Sequence, residues 1–403
     1  MHHLKSLCLL FLLSFVLSCQ EKTTPASESQ VEVSGLDMER IGDKLIERMD
    51  LQAGEEVLLV GIPGRFDELV KVLAGKIQAV GGTYLGSLHA DGAPPQSWQT
   101  EFTQSCKGLD KEALAEVFKR VDLGIMLPGA TPLHMPYKVL QEQLDKGFGR
   151  TIHFHWAGAY DLNGNLLETD SAKDLFYQNV LLETDYKALA AKQLAFEEAL
   201  RGQILRVTTP AGTDISFSIG DRPVTKQDGD ASAAKTEQAR NLIDREIELP
   251  AGAIRVAPIE ETVNGSIAFP DALWNGKEVK GLIMNFEAGK LTTYEAEAGK
   301  DAVAEELEAA GEAGRSFREF AIGLNPMLAI PKDGEPWIPY YGYGSGIIRL
   351  SLGDNTELGG KVGGGYVRWN FFTDATVMIG EDIWVKDGQE VKPGQGLAKV
   401  SLP

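Results

Sequence analysis

The chain has 403 residues, 43% hydrophobic and 24% charged, a balance that excludes wholesale disorder and predicts two or three domains with real cores. Lysine and arginine number 39 against 58 aspartates and glutamates, a net charge of −19. So acidic a surface repels phosphate backbones, and nucleic acid is not an expected partner.

The N-terminus reads as an address, not as fold. Lys5 precedes an apolar run over residues 7–17, broken only by Ser14. The run is too short for a membrane-spanning helix and suits a signal peptide. It ends Val16-Leu17-Ser18-Cys19, which resembles a bacterial lipobox. The resemblance implies cleavage before Cys19 and acylation of that cysteine. The expected organisation is a signal peptide over 1–18 and a polar tether over 19–35. The expected location is the bacterial cell envelope, anchored to a lipid membrane through Cys19, with inner and outer membrane both open. Cys106 then has no intrachain disulfide partner and is expected to be buried or inert.

From Leu36 the pattern alternates. Leu36, Ile41, Leu45, Ile46 and Met49 form a helical stripe. Helices are also expected over 67–80, 112–120 and 139–144, and strands over 57–60, 83–88, 123–127 and 151–156. Such alternation predicts a parallel sheet wrapped by helices over 36–202. Gly61-Ile62-Pro63-Gly64 is too short a match for a dinucleotide or phosphate loop. His153 and His155 stand two apart on a strand, so they point the same way and could offer two imidazoles to one metal. A polar strand end facing a cleft is the alternative reading of the pair.

One long helix is expected over 175–200. The period then changes to two, with short strands over 204–208, 214–219, 245–249, 254–257 and 266–269, and a hairpin around Ala288-Gly289-Lys290. Residues 226–236 read as a loop, and 301–322 as a helix with Asp301 as N-cap. Strands return over 347–352, 366–372, 376–379 and 383–386. The fold class is therefore α/β plus α+β: a parallel-sheet α/β domain, then a mixed, mostly antiparallel β domain over 203–403 with one main helix. Residues 336–346, with Trp337, Tyr340, Tyr341 and Tyr343, form an aromatic, glycine-rich loop that lines a pocket or simply packs.

Several segments together resemble one family. They are Leu205-Arg206-Val207-Thr208-Thr209-Pro210-Ala211-Gly212-Thr213-Asp214, Leu249-Pro250-Ala251-Gly252 with Ala257-Pro258, and Val263-Asn264-Gly265. Phe286-Glu287-Ala288-Gly289-Lys290 and Arg318-Glu319-Phe320-Ala321-Ile322-Gly323-Leu324-Asn325-Pro326 complete the set. In order and spacing these are similar to the thermophilic-type metallo-aminopeptidases, the aminopeptidase T family. The resemblance implies a second domain carrying the site, usually a homodimer, and two divalent metals held by carboxylates and imidazoles. Such metals activate a water and polarise the scissile carbonyl.

The ligand positions that the resemblance implies are mostly altered. Glu319 matches one ligand glutamate. Ala253 stands where another glutamate is expected, and Arg349 and Arg368 where histidines are expected. Asn370 stands for an aspartate. Asp374 restores one acid in a shifted register, and no histidine follows His155 anywhere in the chain. A guanidinium cannot ligate a metal and brings its own positive charge. The leading expectation is thus a non-catalytic or degenerate member that binds a peptide or small anionic ligand and holds no metal. Its pocket would gather Glu319, Arg349, Arg368, Asn370 and Glu261. The alternative is an active aminopeptidase with a rearranged site for zinc, cobalt or manganese, drawing on Glu319, Glu260, Glu261, Asp374, His153 and His155.

Overall fold

The computed structural model describes residues 35–391. The expected signal peptide, Cys19 and nearly all of the expected tether lie outside the described residues. Helix α1 (Met38–Met49) follows its apolar stripe and is capped by Asp37, whose side chain accepts from Arg40 N–H. Then come β1 (Glu56–Gly61), α2 (Asp67–Ala79), β2 (Thr83–His89), α3 (Glu101–Ser105), α4 (Lys111–Phe118), β3 (Leu123–Met126), α5 (Met135–Asp145) and β4 (Arg150–Phe154). The strands form a parallel sheet in the order Glu246–Leu249, β4, β3, β1, β2.

Alternation along β1 sets the two layers. Val57 and Leu59 enter one core with α1 and α2, while Leu58 and Val60 enter a second with α3, α4 and α5. The outer strand of this sheet comes from residues beyond 203, so the chain returns to complete its first sheet from the segment expected to form the second domain.

That later segment builds two antiparallel sheets, so the α/β plus α+β class read from the sequence holds. One runs Lys290–Glu295, Ile283–Glu287, Asn264–Ala268, Asp214–Phe217, Leu205–Thr208, Thr376–Ile379, Asp382–Lys386, Gln389–Glu390. The other runs Val367–Arg368, Ile348–Gly353, Phe317–Gly323, Ala253–Val256, Thr225–Lys226, with Phe371–Phe372 also pairing Ile348–Gly353. Every residue of Phe317–Gly323, Ile348–Gly353 and Ala253–Val256 is buried.

Three elements differ from expectation. The stretch 175–200 is two helices, Ser171–Glu183 and Tyr186–Leu200, because Asp185 caps the second by accepting from Ala188 N–H. The helix expected over 301–322 is Lys300–Gly314, with Gly299 and not Asp301 at its N-cap, followed by the strand Phe317–Gly323. Its sequence suits a helix because Phe317, Phe320 and Ala321 stand at i, i+3 and i+4, although the strand is buried on both faces. The loop expected over 226–236 contributes a strand end to the second antiparallel sheet and a short helix, Ala233–Thr236, capped by Ser232.

Candidate functional site

Glu319 lies on the central strand of the second antiparallel sheet, fully buried. Register explains its company. Ala321 is paired with Arg255 on one side and Arg349 on the other, and Glu319 itself is paired with Ser351. Residues 319 and 321 share a face, so both guanidiniums fall on the face of the carboxylate. Arg255 Nε donates to Glu319 Oε2 at 3.1 Å, and Ser351 Oγ donates to Oε1 at 3.2 Å. Arg349 Nη2 lies 3.0 Å from Oε1 in charge contact. A bulge between Phe317 and Glu319 brings Arg318 in as well, its Nε 3.9 Å from Oε1. Glu357 closes the group, accepting from Arg255 Nη2 at 2.9 Å and from Arg318 Nη2.

Three cations thus face two carboxylates. Burial opposes the charge on Glu319, but Arg255, then Arg349 and Arg318, overcome it and hold its pKa well below the usual carboxylate range. The same pairing raises Arg255 further, against its own burial. The donors are not all used. Arg349 Nη1 donates to the Tyr341 carbonyl at 3.1 Å, but Arg349 Nε and Nη2 and Arg318 Nε are buried without a hydrogen-bond partner. The Arg349 guanidinium also lies 5.1 Å from the Trp369 ring centroid. Trp369 walls a cavity of about 240 Å³ together with Tyr160, Asn163, Asn165, Arg368 and Asn370.

The other sequence-level candidates are placed elsewhere. Arg368 does not join Glu319. Its partner across the strand pair is Leu352, which faces the opposite side of the sheet from Arg349 and Ser351. There Arg368 Nη1 donates to Glu306 Oε1 at 2.9 Å, Nη2 donates to the Leu273 carbonyl at 2.9 Å, and the guanidinium lies 3.5 Å from the Trp274 ring centroid. Asn370 accepts from Arg368 Nε at 3.3 Å and donates to the Leu350 carbonyl at 3.1 Å. The expected convergence of Arg349, Arg368 and Glu319 is therefore corrected: one arginine is on the carboxylate and the other on the helix Lys300–Gly314. Nor does Glu319 come from that helix.

Glu260 is held by Arg222, by Asn355 Nδ2 at 3.1 Å and by Lys361 N–H at 2.8 Å. Glu261 is partnered by Lys361 Nζ at 3.2 Å on the surface, and Asp374 sits exposed in a bend. Neither Glu260, Glu261 nor Asp374 contacts Glu319. His153 and His155 do lie side by side, His155 Nε2 3.3 Å from His153 Nδ1. His153 Nε2 is 2.6 Å from Glu246 Oε1, and Tyr137 Oη touches the same ring. Burial, then the neighbouring His153, push the His155 pKa down to about 3, so it stays neutral. Cys106 is a buried free thiol whose pKa burial raises.

Residues 184–330 match the family described as thermophilic metalloprotease (M29). Over that segment the chain is similar to that family. Two solved structures share the fold. 2,5-dihydroxypyridine dioxygenase from Pseudomonas putida KT2440 has a TM-score of 0.57 and 15% identity, over 89% of this chain and 97% of that one. AmpT from Thermus thermophilus has a TM-score of 0.54 and 16% identity, over 88% of this chain and 96% of that one. No curated protein sequence matches.

The residues present do not suit the two metals that the M29 resemblance implies. Of the positions it assigns, Glu319 alone keeps its ligand type, and both its oxygens are engaged by guanidiniums. Among the described residues, no group of three or more His, Cys, Asp or Glu side chains is arranged to hold a metal ion. Sequence reasoning missed Arg255, Arg318 and Glu357. The signal for the first was present: an arginine flanked by Ile254 and Val256 in a wholly apolar strand demands a buried anion.

Proposed function

We propose that this M29 member is a lipid-anchored envelope protein that binds a small anion or a peptide carboxylate without peptidase turnover. The observation that carries the reading is Glu319 locked between Arg255 and Arg349 where the resemblance places a metal ligand. Guanidiniums on both carboxylate oxygens neutralise the charge a cation would otherwise meet. Three guanidiniums against two carboxylates leave the cluster one positive charge in excess. Arg368 and Trp369, both in the wall of the cavity of about 240 Å³, supply the recognition: a cation for an oxyanion and an aromatic wall for its body. A cavity of about 240 Å³ suits an acetate- to amino-acid-sized group.

The test combines three measurements on purified protein. Zinc, cobalt and manganese are expected at well under one equivalent, no residue is released from the N-terminus of short peptides, and an N-acetyl amino acid binds with saturation. Two metal equivalents together with peptide turnover refute the reading. Anchoring is tested separately: Cys19→Ser is expected to release the protein from the membrane fraction, and retention there removes the lipoprotein part.

A further inference from the structure

A further cavity lies far from Glu319 in sequence, at the carboxyl ends of the parallel strands. It encloses about 800 Å³, in the range of small-molecule sites. Its floor is apolar, from Leu88, Leu109 and Leu114, on the face that α3, α4 and α5 cover. The place is one that open α/β sheets favour for ligands. The order β3, β1, β2 sends the chain one way from β1 and back the other way from β2, so the connections part outside the strand ends.

Two histidines line this cavity, and both are fixed in the same way. His89 Nδ1 accepts the Asp91 N–H at 2.9 Å, and His134 Nδ1 accepts the Thr131 N–H at 2.9 Å. A neutral imidazole whose Nδ1 accepts must carry its proton on Nε2. Each ring is thereby preset as an Nε2–H donor, and among the described residues neither Nε2 has a hydrogen-bond partner. Lys107 adds three more donors and offsets Asp91, the one acidic residue of the lining. Above them Leu133 is 93% exposed and Met135 47%, flanking His134, the N-cap of α5. Large apolar side chains on the lip of a cavity, with donors between them, match a ligand with an apolar body and an acceptor head.

We propose that this cavity is a second binding site, for a small apolar molecule ending in a carbonyl or carboxylate head. The head accepts from His89 and His134 Nε2–H, and the body lies on Leu88, Leu109 and Leu114 beneath Leu133 and Met135. The site is independent of the Glu319 cluster and survives if that reading fails.

Cys106 also lines the cavity and reports on its occupancy without disturbing the donors. The full chain is titrated with octanoate and, separately, with octylamine. Alkylation of Cys106 by iodoacetamide is then followed by peptide mapping. Octanoate is expected to protect Cys106 with saturation, at about tenfold lower concentration than octylamine, whose head only donates. His89→Leu and His134→Leu should each raise the protecting octanoate concentration about fivefold, one hydrogen bond apiece. Equal protection by the two probes, or none at millimolar octanoate, overturns the proposal. Because the two probes are compared on the unaltered protein, a misfolded variant does not shelter it.

Discussion

Glu319→Gln keeps the shape of the side chain and removes its charge. Arg255 and Arg349 then face each other across Ala321 with no anion between them, and Glu357, 37% exposed at its side chain, is left to balance three guanidiniums. The new amide also turns an N–H₂ toward donors. Breaking a fully buried pair by deleting one partner costs about 3–5 kcal/mol, a large share of the roughly 5–15 kcal/mol by which a protein is stable. The arginines deepen the loss by holding the Glu319 pKa well below that of an unfolded glutamate. The sign follows from that depression. The pair contributes fully above the unfolded value of about 4.3 and is lost as pH falls toward the folded one. Urea unfolding followed by tryptophan fluorescence at pH 7 measures the difference. Adding Arg349→Met to Glu319→Gln should recover part of the loss, because the second change removes a stranded cation. A loss under about 1 kcal/mol for Glu319→Gln refutes the lock. So does strict additivity of the pair.

Arg368→Met should cost about 2 kcal/mol through the Glu306 pair and the Trp274 stacking. Because it lies on the other sheet face, its effect should add to that of Glu319→Gln within about 0.5 kcal/mol in the same unfolding assay. The buried, neutral His155 should make stability fall as pH drops from about 6.5, where the unfolded imidazole takes up its proton. The fall should continue toward a folded value of about 3. Its slope is at most about 1.4 kcal/mol per pH unit, the limit for a single proton. His155→Gln should flatten the urea midpoint against pH over that window, and an unchanged slope removes the argument.

How much of this was legible follows from what each pattern encodes. The parallel half declared itself through strands and helices of ordinary period, each bounded by glycines or caps. The helix expected through 301–322 failed at Phe317, because Phe317, Phe320 and Ala321 keep helical spacing while Arg318 and Glu319 are buried on a strand covered on both faces. The same error put Glu319 on a helix. Arg349 was recognised because the resemblance assigned it a histidine position. Arg255 stands at no assigned position, and only the cross-strand register through Ala321 shows it to be its counterpart. Arg368 was misplaced for the converse reason. Sequence order sets it near Asn370, but not which face of a two-residue edge strand it takes.

On the proposed reading, the arginines also decide whether single substitutions toward the ligands that the resemblance implies would admit a metal. A divalent cation about 5 Å from a guanidinium meets a repulsion of about 7 kcal/mol at an effective dielectric constant near 20. Arg349→His removes one such term and restores one imidazole. Arg255 still holds Glu319 Oε2 at 3.1 Å, Arg318 stays alongside, and Ala253 still offers no ligand. The single reversion is therefore expected to bind no zinc and to be less stable, because Glu319 has lost one cation and gained none. Only joint replacement of Ala253 by Glu, Arg255 and Arg318 by Met and Arg349 by His supplies ligands and clears the charge together on the face that Glu319 occupies. Zinc bound stoichiometrically by Arg349→His alone would show that the remaining guanidiniums do not exclude a cation, and the electrostatic account of the site would fall with it.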